Sequence, residues 1–327
     1  MAVEVNQPLP AVRRVIARLL LCLGLLVPTA SWGAELSVTV SIPPVHSLAA
    51  QVMAGLGSPR LLISGGASPH GFSLTPSQAQ MLASSDVVIW IGGGLEASLK
   101  KPIATLSQKA RLLTLSKQES LHRLKTRSLE TLHHETGHGH GHDHGHGHDH
   151  GPGQGEDPHY WLDPENAKVM LDAIAQTLAA ADPDRQAAYR ANAEAAKKRL
   201  DTLIDAFNAR LAPLAGKPFI VFHDAYQYLE HRFGLQAKGV LAIDPERPPG
   251  ARHINEMREL IVELGAVCLF TEPQFPSRLM GPLTQGTAAR VGVLDPLGSA
   301  FASGPNLYAE MLAANLTSFE TCLSSLN

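Results

Sequence analysis

Short apolar runs alternate with amphipathic stretches along the chain after residue 34. Four runs rich in β-branched residues lie in the first half, and four more lie in the second. In chain order they are Ser37–Ile42, Leu61–Ile63, Val87–Ile91, Arg111–Leu115, Phe219–Phe222, Gln236–Leu241, Ala266–Phe270 and Arg290–Leu294. Stretches with helical periodicity lie between them, at about residues 45–54, 76–84, 95–106, 224–233, 252–264 and 277–289, and a last one follows at about 305–323. Because such alternation is typical of parallel sheets, the pattern predicts an α/β fold with two lobes, each a mostly parallel four-stranded sheet flanked by helices.

A longer helix is predicted between the two groups of strands. Asp182 is a candidate N-cap, and Pro183 suits the first helical position. Apolar residues then recur every three or four positions, at Tyr189, Ala193, Ala196, Leu200, Leu203, Phe207 and Leu211. A helix over residues 182–213 would be roughly 45 Å long at about 1.5 Å per residue. This length indicates a stiff linker between lobes at 34–181 and 214–327, with an ordinary long helix inside one domain as the alternative.

The first 33 residues have the pattern of a secretory signal peptide. Three arginines precede a nine-residue apolar run, and small residues stand shortly before a possible cleavage point: Arg13, Arg14, Arg18, Leu19–Val27, Ser31 and Gly33. A membrane-spanning helix needs roughly 20 apolar residues, so a permanent anchor is the weaker alternative. Cys22 does not follow the small residue that lipoprotein cleavage requires, so we do not expect lipidation. The pattern therefore predicts export to the periplasm.

Composition and charge exclude one class of partner. The 327 residues are 44% hydrophobic and 17% charged, an ordinary globular balance, and the formal net charge is −3. A domain that binds nucleic acid usually carries an excess of Lys and Arg, whereas here they number 27 against 30 Asp and Glu. We therefore expect no nucleic-acid partner.

Histidine is the residue type that points to chemistry. Nine of the 16 histidines lie within eighteen residues: His133, His134, His138, His140, His142, His144, His146, His148 and His150. Most alternate with glycine, so this His-rich run has little apolar surface to offset the entropy of ordering, and we predict a disordered loop at about residues 117–157. Neutral imidazole binds zinc, copper, nickel and iron, so the run indicates metal handling. A neutral spacer or a purification tag is the alternative, although tags sit at chain termini.

Two cysteines, Cys268 and Cys322, remain once the predicted signal peptide is removed. In an oxidising compartment, a disulfide is the default interpretation of such a pair. Cys268 lies in an apolar run, so a buried free thiol is the alternative.

Isolated histidines near the ends of predicted strands form a second candidate metal site. His70 lies just beyond the second strand, His223 directly follows the fifth and Asp295 directly follows the eighth. Ligands of open α/β sheets bind at the carboxyl ends of strands, so these residues point to one cleft between the lobes, which His159 could reach from the base of the loop. Three imidazoles with a carboxylate or a water suit Zn²⁺, whereas Mn²⁺ prefers more oxygen ligands. Three further histidines are interpreted as surface or supporting residues: His46, His231 and His253.

Five short motifs give the chain a family resemblance. They are Ser68–Ser77 (SPHGFSLTPS), Pro158–Pro164 (PHYWLDP), Phe222–Tyr226 (FHDAY), Thr271–Phe275 (TEPQF) and Leu294–Gly298 (LDPLG). In this order they resemble the ZnuA-like zinc-binding solute-binding proteins of bacterial ABC importers, which have a rigid linker helix. The resemblance extends over nearly the whole mature chain.

The resemblance implies that His70, His159 and His223 are metal ligands. Manganese-binding relatives carry Glu at the position of His223, so this residue favours zinc. Some zinc-binding members have Glu directly before the first histidine, where this chain has Pro69. The fourth ligand is therefore expected to be Asp295, as in some relatives, or a water.

The implied function is capture of Zn²⁺ in the periplasm, without catalysis, and its delivery to an inner-membrane ABC permease and its ATPase. We expect a monomer, and the resemblance also implies that Cys268 and Cys322 pair. The His-rich run is then an accessory that raises the zinc concentration near the site. Two alternatives remain: a periplasmic zinc or nickel buffer acting through the run, and a secreted zinc hydrolase using metal-bound water. The hydrolase would lack His-Glu-x-x-His and would need Asp224, Glu272 or Asp295 as its base.

Overall fold

The computed structural model describes residues 35–64, 66–127, 155–243, 245–247, 249–265, 267–275 and 280–326. The predicted signal peptide and the His-rich run lie outside these residues. Within them, eight strands form two four-stranded sheets. We refer to the chain up to residue 181 as the N-terminal half and to the chain from residue 214 as the C-terminal half.

The first sheet consists of four parallel strands in the order β2-β1-β3-β4. The strands are β1 (Val38–Val40), β2 (Arg60–Leu61), β3 (Val87–Trp90) and β4 (Arg111–Thr114), and three helices alternate with them: α1 (Pro43–Val52), α2 (Pro76–Ala83) and α3 (Lys100–Leu106). Every residue of β1 and β3 is buried, as expected for central strands that are covered on both faces.

Two long helices, α4 (Pro164–Ala181) and α5 (Gln186–Leu211), follow the first sheet. Helix α4 was not among the predicted helices, although Asp163 caps its N terminus by accepting the N–H of Glu165, and proline occupies its first position. Its apolar positions bury one face, so the sequence carried both a start signal and a helical pattern that were overlooked.

The second sheet repeats the plan of the first, with parallel strands in the order β6-β5-β7-β8. The strands are β5 (Phe219–His223), β6 (Gly239–Ala242), β7 (Cys268–Thr271) and β8 (Arg290–Val293), and the helices are α6 (Gln227–Phe233), α7 (Ala251–Leu264), α8 (Met280–Thr284) and α9 (Leu307–Ser324). Two all-parallel four-stranded sheets flanked by helices, together with a long helix, confirm the predicted α/β fold.

Helix α5 is the predicted linker helix, and it is shorter than expected. It contains 26 residues and therefore spans about 39 Å. A turn of 3-10 helix lies at each end, at Pro183–Arg185 and Ala212–Leu214. It packs against α1 and α4 of the N-terminal half and against α9 of the C-terminal half, and all its buried residues except Ile204 belong to one core that includes both sheets. The helix is therefore held on both sides along its length.

A disulfide joins the start of β7 to α9. It links Cys268 to Cys322, which are 54 residues apart, so the prediction of a disulfide is confirmed and the free-thiol alternative is wrong. Closing a loop of this size stabilises the fold by roughly 4 kcal/mol through the entropy of the unfolded chain. Separately, none of the helices in the described part of the chain has the length and apolar character needed to cross a membrane.

Candidate metal centre

Three histidines meet at the carboxyl ends of the two sheets. His223 is the last residue of β5, His70 lies in the loop between β2 and α2, and His159 directly precedes the 3-10 turn Tyr160–Leu162. The ring centroid of His70 lies 5.5 Å from that of His159 and 5.2 Å from that of His223. The centroids of His159 and His223 are 4.8 Å apart. One ring nitrogen from each lies within 4.8 Å of the other two, so the three can bind a single ion.

The loop that carries His70 is tied at both ends. At its far end, Thr75 and Gln78 form a capping box, in which each side chain accepts the backbone N–H of the other residue. Gln78 Nε2 also donates to the carbonyl of Leu62, immediately after β2, at 2.8 Å. Within the loop, Ser68 Oγ accepts the N–H of His70 at 3.3 Å. These contacts hold the loop in place beside the sheet.

The three rings line a small cavity with a volume of about 20 Å³. A single water needs about 10–15 Å³ of such space, so the cavity has room for roughly one water or one ion. Apolar side chains form much of the wall, and Glu272 also lines it; the apolar lining residues include Trp161, Phe275, Pro296 and Leu297. An ion bound here would be largely separated from bulk water, which strengthens its interaction with its ligands.

His159 is oriented by the carboxylate of Asp157, two residues earlier. Asp157 Oδ1 lies 2.6 Å from His159 Nδ1 and accepts the backbone N–H of His159 at 3.0 Å. Asp157 Oδ2 accepts a hydrogen bond from Gln227 Nε2 at 3.1 Å. His159 Nε2 is buried and has no hydrogen-bond partner among the described residues, so it is the nitrogen left for a metal. A carboxylate behind the imidazole is the usual support of a metal-binding histidine.

Burial makes the neutral imidazole the stable form of His159. Removal from water, and secondly the charge of His223, hold the pKa of His159 well below 6.5. Burial likewise raises the pKa of Asp157 to about 7, against the opposing hydrogen bond from the His159 backbone. Because a metal binds the neutral ring, His159 is in its ligand form at neutral pH.

His223 faces a second buried carboxylate, Glu272, which directly follows β7. Glu272 Oε1 lies 3.6 Å from His223 Nδ1, slightly beyond hydrogen-bond distance. Within the described residues, both carboxylate oxygens of Glu272 and both ring nitrogens of His223 are buried without a hydrogen-bond partner. A shift of a few tenths of an ångström would give His223 the support that Asp157 gives His159.

A buried ion cluster lies next to His223. Arg127, from the N-terminal half, donates to the carboxylates of Asp224 and Glu230 in the C-terminal half, with bonds of 2.8 and 2.9 Å to Glu230. Asp224 follows His223 in the chain, and burial raises the pKa of Asp224 whereas Arg127 opposes that effect. The cluster therefore ties the two halves together beside the candidate ligands.

Asp295 does not join the three histidines. Its two carboxylate oxygens accept five hydrogen bonds, from the Gln274 side chain, the N–H groups of Leu297, Gly298 and Ser299, and the Ser299 hydroxyl. These bonds close the turn that brings Pro296 and Leu297 into the cavity wall. In this arrangement Asp295 shapes the site, and its role as the fourth ligand stays a prediction.

A much larger cleft, of about 1690 Å³, opens beside the small cavity. His70 and His159 line both spaces, so the cleft leads to the candidate ligands. Polar residues from the two halves surround it, among them Arg123, Glu156 and Gln227. A hydrated cation can therefore reach His70 and His159 through this open cleft, whose lining contains both polar and apolar side chains.

Sequence reasoning found the three histidines but missed the residues that support them. Asp157 stands two residues before His159, so a nearby carboxylate was an available signal. Glu272 was considered only as a catalytic base. Arg127 carried no signal, because Asp224 lies 97 residues further along the chain. The nine histidines of the run lie outside the described residues.

Comparisons with known proteins agree on one family. A family model described as zinc-uptake complex component A, periplasmic (ZnuA) matches residues 38–322. The chain is 42% identical over 313 residues to the high-affinity zinc uptake system protein ZnuA of Brucella suis biovar 1 (strain 1330), covering 89% of this chain and 93% of that protein. It is 34% identical over 293 residues to the protein of the same name from Yersinia pestis, covering 89% and 92%.

Solved structures show the same architecture. A crystal structure of ZnuA superposes with a TM-score of 0.72 at 23% identity, covering 88% of this chain and 99% of that one. At this identity the similarity shows the fold alone. The family match and the relatives show more: the protein belongs to the ZnuA family of periplasmic zinc-uptake components.

Proposed function

We propose that this protein captures Zn²⁺ in the periplasm through His70, His159 and His223 and delivers it to a membrane permease. The observation that carries the proposal is the meeting of three imidazoles at a cavity with room for about one ion. Zn²⁺ favours four ligands of this nitrogen and oxygen type, and the relatives are named for zinc uptake. Because Asp295 has both oxygens engaged within its own turn, a water is the better candidate for the fourth position.

The partner follows from the family, whose members are the periplasmic component of a zinc uptake complex. A membrane permease with its ATPase receives the ion in such a complex. We propose that the mature protein acts as a monomer after removal of residues 1–33, with lobes at 34–181 and 214–327 joined by the helical segment at 182–213. The His-rich run would act as an accessory store of zinc near the cleft.

Neither alternative function is supported by the family match. The family consists of zinc-uptake components, so the chain is not an enzyme and the hydrolase interpretation falls away. A buffer acting only through the run would not need three histidines brought together in a separate cavity.

A zinc-loaded crystal structure with anomalous data at the zinc edge tests the proposed site. We expect one strong peak about 2.0–2.2 Å from a ring nitrogen of each of His70, His159 and His223. In parallel, the wild-type protein should restore zinc uptake to a bacterium that lacks its own periplasmic zinc-binding protein. A variant with all three histidines changed to Ala should not. Full uptake by that variant would refute the proposed function.

A further inference from the structure

A second pair of imidazoles meets away from the three-histidine centre. His122 belongs to the N-terminal half, and His231 lies in the last turn of α6 in the C-terminal half. Their ring centroids are 4.7 Å apart and their planes are inclined by 43°. The three candidate zinc ligands have ring separations of 4.8 to 5.5 Å, so this pair is spaced closely enough to share one ion.

His122 is held rigidly by its own backbone. Its N–H donates to Asn166 Oδ1 at 2.8 Å, and its carbonyl accepts from Asn166 Nδ2 at 2.9 Å. Its ring lies edge-on to the ring of Tyr228, with the centroids 6.1 Å apart. The backbone of His122 is therefore already ordered, so binding an ion would have to order only its side chain.

A carboxylate stands behind the His122 ring. Asp163 Oδ2 lies 3.5 Å from His122 Nδ1, close to the 3.6 Å between Glu272 and His223. Asp163 is buried and fixed, because Arg232 donates two hydrogen bonds of 2.8 Å to it. The positive charge of Arg232 is thereby neutralised beside the pair. At this distance Nδ1 of His122 has no hydrogen-bond partner among the described residues, and a small shift would let Nδ1–H donate to Asp163 and leave Nε2 for a metal.

We propose that His122 and His231 form a second, weaker binding site for Zn²⁺ and similar borderline divalent cations, with water completing the coordination. The His122 side chain is 37% exposed and His231 is exposed, so an ion at this place stays in contact with solvent. Two protein ligands hold an ion less tightly than three. An ion bound here would bridge the two halves of the protein. This site goes beyond the proposed zinc capture and does not depend on it.

The test uses the full-length mature protein in which the nine histidines of the run are changed to Asn, so that the run cannot mask a weak site. Zn²⁺ binding is counted by equilibrium dialysis, and the imidazole signals of His122 and His231 are followed by NMR as Zn²⁺ is added. We expect two zinc equivalents, with the second one shifting the signals of these two rings. His122→Gln or His231→Gln should lower the affinity for the second zinc equivalent by at least about tenfold. Even loss of a residue that only supports a metal ligand lowers metal affinity by about 10–100-fold.

His253→Gln is the matched control, because His253 Nε2 is bonded to the Val240 carbonyl and the residue lies outside the pair. It should leave both equivalents in place. His231 is exposed on the surface, so its variant should fold, and circular dichroism checks this. A single equivalent in the starting protein, or a second equivalent that survives both substitutions, would overturn the proposal. His223→Ala should remove the tight equivalent alone, so failure at one site is distinguishable from failure at the other.

Discussion

Imidazole rings meet at two places in the described part of the chain, and the two clusters differ less in spacing than in surroundings. The three-histidine centre has ring separations of 4.8 to 5.5 Å, and the His122–His231 pair has 4.7 Å. Each cluster has a carboxylate behind at least one ring. However, the side chains of His159 and His223 are 5% and 3% exposed, whereas the His122 side chain is 37% exposed.

The difference teaches that ring spacing alone does not set metal affinity. Burial keeps His159 neutral, removes water that would compete for the ion, and fixes the supporting carboxylate at 2.6 Å. The surface pair lacks a third ring and remains open to solvent. We therefore expect tight binding at the centre and weak, rapidly exchanging binding at the pair.

The largest expected effect comes from removing a ring of the centre. His159→Ala or His223→Ala should weaken tight zinc binding by more than about 100-fold. Losing a residue that only supports a ligand lowers metal affinity by about 10–100-fold, and losing the ligand itself should cost more. Competition titration against a zinc chelator measures this. His231→Ala, from the pair, should leave the tight affinity unchanged. If His231→Ala and His223→Ala lowered the tight zinc affinity equally, the two clusters would not be separate sites of different strength.

The response to pH should show how burial acts on the centre. An imidazole with the ordinary pKa near 6.5 loses about tenfold in its neutral fraction for each pH unit below that value. Because burial holds the pKa of His159 well below 6.5, this ring competes little with protons in this range. Zinc affinity should therefore fall less steeply between pH 6 and 5 than the about 1000-fold per pH unit expected for three ordinary rings. Chelator titrations at several pH values measure the zinc affinity, and a fall as steep as that of three ordinary rings would contradict the prediction.

The support from Asp157 can be tested without touching a ligand. Asp157→Asn should lower zinc affinity by about 10–100-fold, because the 2.6 Å contact that orients His159 is weakened. Asp172→Asn is a suitable control, since Asp172 is an exposed partner of Lys197 on helix α4 and lines neither the small cavity nor the cleft. Unchanged affinity in Asp157→Asn would mean that burial, rather than the carboxylate, orients the ring.

A smaller effect is expected from Glu272→Gln. The 3.6 Å separation between Glu272 and His223 gives weaker support than Asp157 gives to His159, so the loss should be about tenfold, at the low end of the same range. The same chelator titration measures it. A loss larger than that of Asp157→Asn would show that Glu272 moves closer when zinc binds, or binds the ion itself.

The smallest effect on zinc binding is expected from Asp295→Asn. Its carboxylate accepts five hydrogen bonds within its own turn and from Gln274, so the change should lower the free energy of unfolding by about 1–3 kcal/mol. Zinc affinity should change less than threefold. Urea unfolding and zinc titration separate the two effects, and a loss of affinity comparable with that of His223→Ala would identify Asp295 as the fourth ligand.

The fold could be predicted well from the sequence wherever a local hydrophobic pattern determines the secondary structure. Continuous apolar runs predicted both sheets, because strands covered on two faces consist mostly of apolar residues. The linker helix was predicted about three residues too long at its start, since Pro183 opens a 3-10 turn there rather than the α-helix. Helix α4 was not predicted, although Asp163 and Pro164, which close the motif Pro158–Pro164, are also a helix start signal.

The candidate site was predictable only in part, for a physical reason. His70, His159 and His223 follow strand ends or a recognisable motif, so their meeting could be inferred from the topology of parallel sheets. The supporting contacts depend on distances across the fold. Nothing local indicates that Arg127 reaches Asp224, because this pair forms only when both halves are packed together. Asp163 likewise stands behind His122 only after the segments on either side of the His-rich run have packed together.

The small size of the cavity at the three histidines has a consequence for selection among ions. A space of about 20 Å³ cannot hold a cation together with its hydration shell, so an ion must give up most of its water in the cleft before it enters. Mg²⁺ dehydrates reluctantly, and Ca²⁺ requires six to eight oxygen ligands, which three imidazoles cannot supply. Bonds to three imidazoles can therefore offset the loss of water for Zn²⁺, but not for the two abundant alkaline-earth ions, which require oxygen ligands.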